Sequence, residues 1–449
     1  RRLGCDAVPA APDAPSGLRH ALHVAVRLAQ LVGASAVALA VFAREAWRCR
    51  REGRDGWLRA FARAHVALCE RLGATFIKVG QIASTRGDLL PPPVVEELAR
   101  LRDQVPPFPF AQVREAVERS LGRPLESIYA RFEPVPVAAA SVAQVHEAVL
   151  REGGARVAVK VRRPDILEKV RLDRAILLVA ARGAERVVPS LRLVSLAEAV
   201  QTFCDAVEHQ IHLTNEADHN RRFRANFAGD PDVHFPELHP EACSDEVLTM
   251  EFVEGLREEE LEAAGADLHR IVMAGMRCVS RMIFLHGFVH ADLHPGNLRF
   301  DRSGRITLFD LGLVGELADR DRLTNAQLLF SFATGDGATV ARLFYDNAPH
   351  TATPDYDAYQ REVSAYVERM RTRGLGNVEM AVEIGRIFDI LRRHRIQARS
   401  HMTMVNLALA TAEGLGKRLA PELNLADEAL PYLAEALGVP APAAACSRG

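Results

Sequence analysis

Lysine is nearly missing from this chain: of 56 Lys plus Arg, only Lys78, Lys160, Lys169 and Lys417 are lysine. The arginines that take its place are scattered through apparent helices as solvated faces, without forming a basic stripe. With a formal net charge of −2, no nucleic-acid partner is expected. Paired cysteines are lacking too. The seven present, at 5, 49, 69, 204, 243, 278 and 446, are odd in number and never spaced C-x-x-C. That argues against a disulfide framework or a cysteine zinc site and fits a reducing compartment.

Long hydrophobic runs are almost absent. The one candidate, Ala21 to Ala43, carries His23, Arg27 and Gln30. Its clean portion, Leu31 to Ala43, falls short of the ~20 residues of a comfortable membrane span. A helix packed on the protein or lying at a membrane surface is expected in preference to a spanning one. The chain begins with arginine, as a truncated or processed start would, and residues 1–16, rich in Ala and Pro, are expected to be disordered.

What is present is apolar patterning: 48% hydrophobic residues over 449 support two or three domains, or one large bilobal one. Residues 17–87 carry helical spacing, with Leu58, Phe61, Ala62, His65, Leu68 and Leu72 on one stripe. "PPP" at 91–93 and "PPFPF" at 106–110 break it, and short helices are predicted at about 111–120 and 124–131. The period then falls to two. Residues 142–150 and 156–161 predict a strand pair joined by a Gly153-Gly154 turn. Helices follow at 165–183 and 195–226, strands at 232–235 and 246–252, and a mostly helical remainder broken by short strands near 297–300 and 305–309.

Four elements fall in a meaningful order: Lys160 near a strand end, Glu216 on the following long helix, "HADLHPGN" at 290–297, and "FDLG" at 309–312. His290, Asp292, Leu293 and Asn297 match the kinase catalytic loop H-R-D-L-x-x-x-N except that Ala291 replaces the arginine, and Asp310-Leu311-Gly312 stands where D-F-G would. Phosphates of ATP call for a divalent metal, and Mg²⁺ takes hard oxygen ligands such as Asn297 and Asp310. Asp292 suits orienting or deprotonating a hydroxyl or water. A compact ammonium at 160 fits between phosphate oxygens and Glu216, where a planar guanidinium is larger and differently directed. A duller alternative is zinc held by the alternating His290, Asp292 and His294, although Pro-Gly-Asn after them suits a loop.

With these residues the chain resembles the AarF/UbiB (ABC-one or ADCK) family of atypical protein-kinase-like ATPases, from about Thr75 to Leu433. "KVGQ" at 78–81 matches the family's K-x-G-Q motif on a helical N-terminal extension, and "AAASVAQVH" at 138–146 matches its alanine-rich substitute for the glycine-rich phosphate loop. The resemblance implies an α+β, bilobal protein-kinase-like fold with a helical N-terminal extension and a mostly helical C-lobe. The expected organisation is a disordered start at 1–16 and an extension at 17–131. The N-lobe is expected at 132–254, the C-lobe at 255–434 and a flexible tail at 435–449. Ala138, Ala139, Ala140 and Ser141 are expected against the nucleotide phosphates, with Met250 and Phe252 at the adenine. Lys78 and Gln81 are expected to face inward near the nucleotide.

The family's E-x-D motif, whose glutamate pairs with the K-x-G-Q lysine, reads Gln210-Ile211-His212 here, with Glu208 as a substitute acid. Ala291, and the lack of a nearby A-P-E, make control by activation-loop phosphorylation unexpected. The expected activity is Mg-ATP binding and hydrolysis supporting isoprenoid quinone (ubiquinone) or lipid metabolism. The partners implied are a membrane lipid or quinone precursor and a biosynthetic protein complex. The location implied is the cytoplasmic face of a bacterial inner membrane, or a mitochondrial or plastid membrane. Rival readings are a phosphotransferase acting on a lipid, small molecule or protein, and a nucleotide-binding pseudokinase scaffold.

Overall fold

The computed structural model describes residues 17–84, 90–101, 106–187, 196–373, 380–421, 423 and 425–440. The expected disordered start and residues 441–449 of the expected tail lie outside them, as do Cys5 and Cys446. The other five cysteines are unbridged.

Four helices open the described chain: α1 (Gly17–Arg48), α2 (Gly53–Leu72), α3 (Ala74–Ser84) and α4 (Pro92–Leu98). They bury their own core, in which Ala34, Ala62, Leu72, Phe76, Val94 and Leu98 meet. α5 (Phe110–Leu121) and the single turn α6 (Leu125–Ile128) follow. The helix expected at 124–131 stops there, because β1 (Tyr129–Phe132) pairs antiparallel with a later strand. The register shifts between Tyr129 and Arg131, so that Tyr129 is buried while Arg131, two residues on, is exposed.

The sheet continues with β2 (Ala138–Ala139), β3 (Ala143–Leu150) and β4 (Arg156–Arg162). Gly153 and Gly154, at φ +75° and +65°, make the β3–β4 turn that residues with a Cβ rarely adopt. β4 is covered on both faces, and alternation assigns its side chains. Val157, Val159 and Val161 enter the core under α5. Ala158 packs on the opposite side, the face that Lys160 shares.

Helices α7 (Ile166–Val187), α8 (Leu196–Ile211) and α9 (Leu213–Asn226) come next. The one long helix expected over 195–226 is two, broken at His212, whose backbone is extended at φ −81°, ψ 103°. The Leu213 amide donates to the Asp245 carbonyl, so a distant loop starts α9. Arg27 of α1 reaches across to α7, its guanidinium forked onto Asp173 at 2.6 and 2.8 Å. Asp173 is fully buried.

β5 (Val233–His234) and β6 (Val247–Glu251) precede α10 (Leu268–Ser280), which runs on into a π turn at Arg281–Leu285. The first sheet has the order β1-β3-β4-β6, with β2 also on β3 and all pairs antiparallel. Short strands then alternate with loops: β7 (Phe288–His290), β8 (Leu298–Phe300), β9 (Ile306–Leu308) and β10 (Val314–Glu316). β10 pairs with β7, and β5-β9-β8 form a third sheet. The remainder is helical: α11 (Asp319–Thr334), α12 (Gly337–Asp346), α13 (Tyr356–Arg373), α14 (Met380–Arg393), α15 (Ser400–Leu419) and α16 (Leu425–Leu437). α16 carries helix to Leu437, past the expected end of the lobe at 434. The result is a small antiparallel sheet lobe joined to a helical lobe, an α+β kinase-like fold.

Candidate active site

Lys160 lies on the central strand of the first sheet, opposite Val145 of β3 and Leu248 of β6. Its face of the sheet meets α9, whose first turn carries Glu216. Lys160 Nζ donates to Glu216 Oε1 and Oε2 at 3.0 and 2.8 Å and to Asp310 Oδ1 at 2.8 Å. Lys160 is 8% exposed and Glu216 4%, while the Asp310 side chain is 46% exposed. Burial opposes the lysine charge, but Asp310 and Glu216 outweigh it and raise its pKa. Lys160 holds the Asp310 carboxyl below the usual range against burial, with Lys78 adding to the effect. Burial pushes Glu216 upward in spite of Lys160. One ammonium is thus shared by two carboxylates, and the half-open one is kept ionised.

Asp310 sits at φ +59°, a left-handed conformation that Asp tolerates better than most residues. The β8–β9 ladder puts Asn297 and Phe309 side by side, and the Phe309 amide donates to the Asn297 carbonyl at 3.1 Å. Asn297 Nδ2 donates to the Asp292 carbonyl at 3.0 Å and to Asp292 Oδ2 at 3.3 Å. That engages the amide nitrogen and leaves the amide oxygen as the atom able to ligate a cation. Asp292 itself is exposed. His290, fully buried, accepts the Asp292 amide on Nδ1 at 3.1 Å and so shapes the loop from beneath. His294 is exposed and accepts the Gly296 amide on its own Nδ1. The two histidines therefore do not share a side. Among the described residues no three His, Cys, Asp or Glu gather as metal ligands, which removes the support for the zinc alternative. Asn297 and the ionised Asp310 are the hard oxygen donors that suit Mg²⁺, which takes few protein ligands and completes its shell with phosphate and water.

The alanine-rich segment is more structured than a bare loop. Ala138 and Ala139 pair with Val145 and Gln144, and the Ala140 amide donates to the Ala143 carbonyl. Arg163 donates through Nε to the Ala140 carbonyl and through a terminal nitrogen to the Pro106 carbonyl, both at 2.8 Å. Its guanidinium lies 5.4 Å from the Phe108 ring centre. Gln144, 1% exposed, pairs with both backbone groups of Phe108 and contacts His146, which donates from Nδ1 to the Glu133 carbonyl. In sequence Gln144 and His146 appear only as letters of a motif. Two polar residues spaced by two on a strand that is apolar apart from Glu147 were the available signal, and Arg163 offered none. Ser141 is fully buried. At the other end of the cleft Val145, Ala158, Met250 and Phe252 share one apolar cluster, with the Arg156 guanidinium 4.2 Å from the Phe252 ring centre.

The K-x-G-Q helix, α3, meets this site from the side. Val79 packs with Val207 and Ile211 of α8, and Lys78 acts electrostatically on both Glu216 and Asp310. A Cβ on Gly80 would come 2.3 Å from Leu101 Cδ1, so glycine lets that buried side chain in. Gln81 turns to the same partner, donating to the Leu101 carbonyl at 3.3 Å. Glu208 pairs with Arg171 and Arg174 of α7 at 3.1 Å each. Gln210 is buried, and its amide nitrogen has no hydrogen-bond partner among the described residues. His212 pairs with Asp245 at 2.8 Å.

A strand lysine clasped by a helix glutamate, facing an Asp–Asn loop and an Asp-Leu-Gly turn, places the molecule in the kinase-like class. Residues 100–344 match the ABC1 atypical kinase-like domain and residues 363–424 the UbiB helical domain. The chain belongs to the ABC1/UbiB family of atypical kinase-like proteins. Among solved structures, the erythromycin complex of Rv3197 from Mycobacterium tuberculosis aligns at TM-score 0.50 and 19% identity, over 77% of this chain and 90% of that one. At that identity the likeness is one of fold.

Proposed function

We propose that this chain binds Mg-ATP between its two lobes and hydrolyses it, in support of isoprenoid quinone or lipid metabolism at a membrane. The observation that carries this reading is the cluster in which Lys160 bridges Glu216 to the half-open Asp310. Lys160, oriented by Glu216, holds phosphate oxygens under the Ala138–Ser141 segment, and Met250 and Phe252 flank the base. Asn297 and Asp310 hold the metal, which offsets phosphate charge when bound. Asp292, exposed and tethered by Asn297, is the catalytic carboxylate.

Hydrolysis is favoured over transfer to a large acceptor because the 70–110 segment, whose α3 packs Val79 against Val207 and Ile211 of α8, would block an open acceptor site. The membrane is supported by α1. The most apolar 18 residues within its Ala25–Arg48 portion have a mean hydropathy of 1.8 and are only 11% buried. Val32, Leu39 and Trp47 are exposed on it, and Arg48, Arg50 and Arg51 follow. With Arg27 tied to Asp173, that face suits a helix lying on anionic lipid.

Purified protein is expected to turn over ATP only with Mg²⁺, more rapidly on liposomes containing anionic lipid, and Asp310→Asn is expected to abolish turnover. Labelled ATP with candidate acceptors separates release of phosphate from its transfer. Turnover that survives Asp310→Asn would sink the assignment of roles.

A further inference from the structure

We infer that His219 is a positioning residue that ties the glutamate helix to the Asp310 turn, so that Glu216 and Asp310 enter and leave the site together. The inference rests on the reading of Glu216 and Asp310 given above and concerns what holds them in place.

His219 follows Glu216 by three residues on α9, one turn along the same face. Its Nδ1 lies 2.8 Å from the Leu311 carbonyl oxygen. A carbonyl only accepts, so Nδ1 carries the proton and the tautomer is set. The ring is fixed on both sides, stacked on His209 of α8 at 5.7 Å and edge-on to Phe288 of β7 at 5.9 Å.

The importance of this bond comes from the residue it adjoins. Asp310 is held at φ +59°, where a non-glycine backbone persists only if its surroundings overdetermine it. The chain just before Asp310 is pinned by the Phe309 amide on the Asn297 carbonyl, and three residues beyond Asp310 the Leu313 carbonyl accepts the Ala291 amide. Between these points the Leu311 side chain, 1% exposed, sits in the core of the helical lobe, and the His219 bond fixes its carbonyl. Without that donor a buried carbonyl loses its partner, and the Asp310 backbone is free to relax toward negative φ. The carboxylate then swings off Lys160. Since the donor stands on α9 beside Glu216, an outward movement of that helix withdraws the lysine's glutamate and the aspartate's anchor in one step.

Two full-length variants separate the donor from the ring: His219→Phe keeps the packing without the donor, and His219→Asn keeps an amide donor. Hydrogen exchange of the nucleotide-free protein over residues 310–314 is expected to speed up about tenfold in His219→Phe and stay near wild type in His219→Asn. The Mg²⁺ concentration that half-saturates thermal stabilisation by ADP is expected to rise about tenfold in His219→Phe, with kcat falling far more than KM changes. Unchanged exchange in folded His219→Phe, or equal acceleration in both variants, overturns the latch. Failure of the wild type to turn over Mg-ATP would overturn the proposed function instead, and the exchange result decides the latch in either case.

Discussion

Two aspartates sit in charge clusters of opposite construction. Asp232, just before β5, has a side chain 9% exposed. Its Oδ1 accepts Arg270 at 2.6 and 3.1 Å and its Oδ2 accepts Arg277. The backbone at Asp232 accepts the Ile306 amide, so the pair of guanidiniums sews the β5–β9 edge to α10. Arg270, with Arg277 adding and burial opposing, keeps that carboxyl below the usual range. Here two cations serve one carboxylate and its oxygens are consumed. At Lys160 one cation serves two carboxylates, and Asp310 remains 46% exposed. Arginine's fork closes a site, whereas lysine's point charge leaves carboxylate oxygen to spare. Position 160 is lysine, in a chain that mostly writes arginine, at a cluster where carboxylate oxygen is still open.

Exchanging the two cation types tests this contrast at its strongest point. Lys160→Arg preserves charge but puts a wider, planar group where Nζ has three oxygens within 3.0 Å. Mg-ATP turnover is expected to fall at least about 100-fold, the usual consequence of misplacing a positioning group by an ångström. Arg277→Lys, at the closed cluster, is expected to leave turnover unchanged and stability within about 1 kcal/mol. Wild-type turnover in Lys160→Arg would erase the distinction.

Next in size is the loss of the closed carboxylate. Asp232→Asn keeps the shape and removes the charge, and urea titration near neutral pH is expected to show a loss of about 2 kcal/mol, typical of hydrogen bonds to charged groups. Because the folded-state pKa is lowered, this contribution is present above the unfolded value of about 3.9 and disappears as pH falls through the folded one. The gap between wild type and variant should begin to narrow below about pH 5 and close only once the pH has fallen through the lowered folded pKa. Lys160 behaves in the opposite sense. Its pKa is raised, so its contribution holds below about 10.4 and is lost only at higher pH. A gap that persists unchanged at pH 3 would mean that Asp232 acts through shape alone.

The contrast between these clusters was only half legible in the sequence. Lys160, Glu216, Asp292, Asn297 and Asp310 could be read because their types and order follow from phosphate and metal chemistry, and the period-two run around Lys160 placed it on a strand. Asp232 and its arginines carried no such order. The break at His212 escaped because it is imposed from Asp245, 33 residues away, through a backbone bond to Leu213 and a side-chain bond to His212. The three-residue strands β7 and β10 are too short for alternation to register, whereas β8 and β9 fall where short strands were expected. Nor did the sequence show that α7 would pack against α8 and bring Arg171 and Arg174 onto Glu208.

The smallest expected effect isolates the other backbone wall of the site, the alanine-rich segment. Unlike the Asp310 turn, which is anchored to α9 and the Asp292 loop, this segment is anchored outward, through Arg163, to Pro106 and Phe108. Arg163→Ala removes two neutral-acceptor bonds worth about 1 kcal/mol each at most, so nucleotide affinity is expected to weaken about five- to tenfold. KM for ATP should rise by that factor while kcat stays within about twofold, because no group on the metal side has moved. The half-saturating Mg²⁺ concentration at saturating ATP should not change. A fall in kcat as large as that of Lys160→Arg would show that the two walls are not independent, and that the segment at 106–108 reaches the metal side after all.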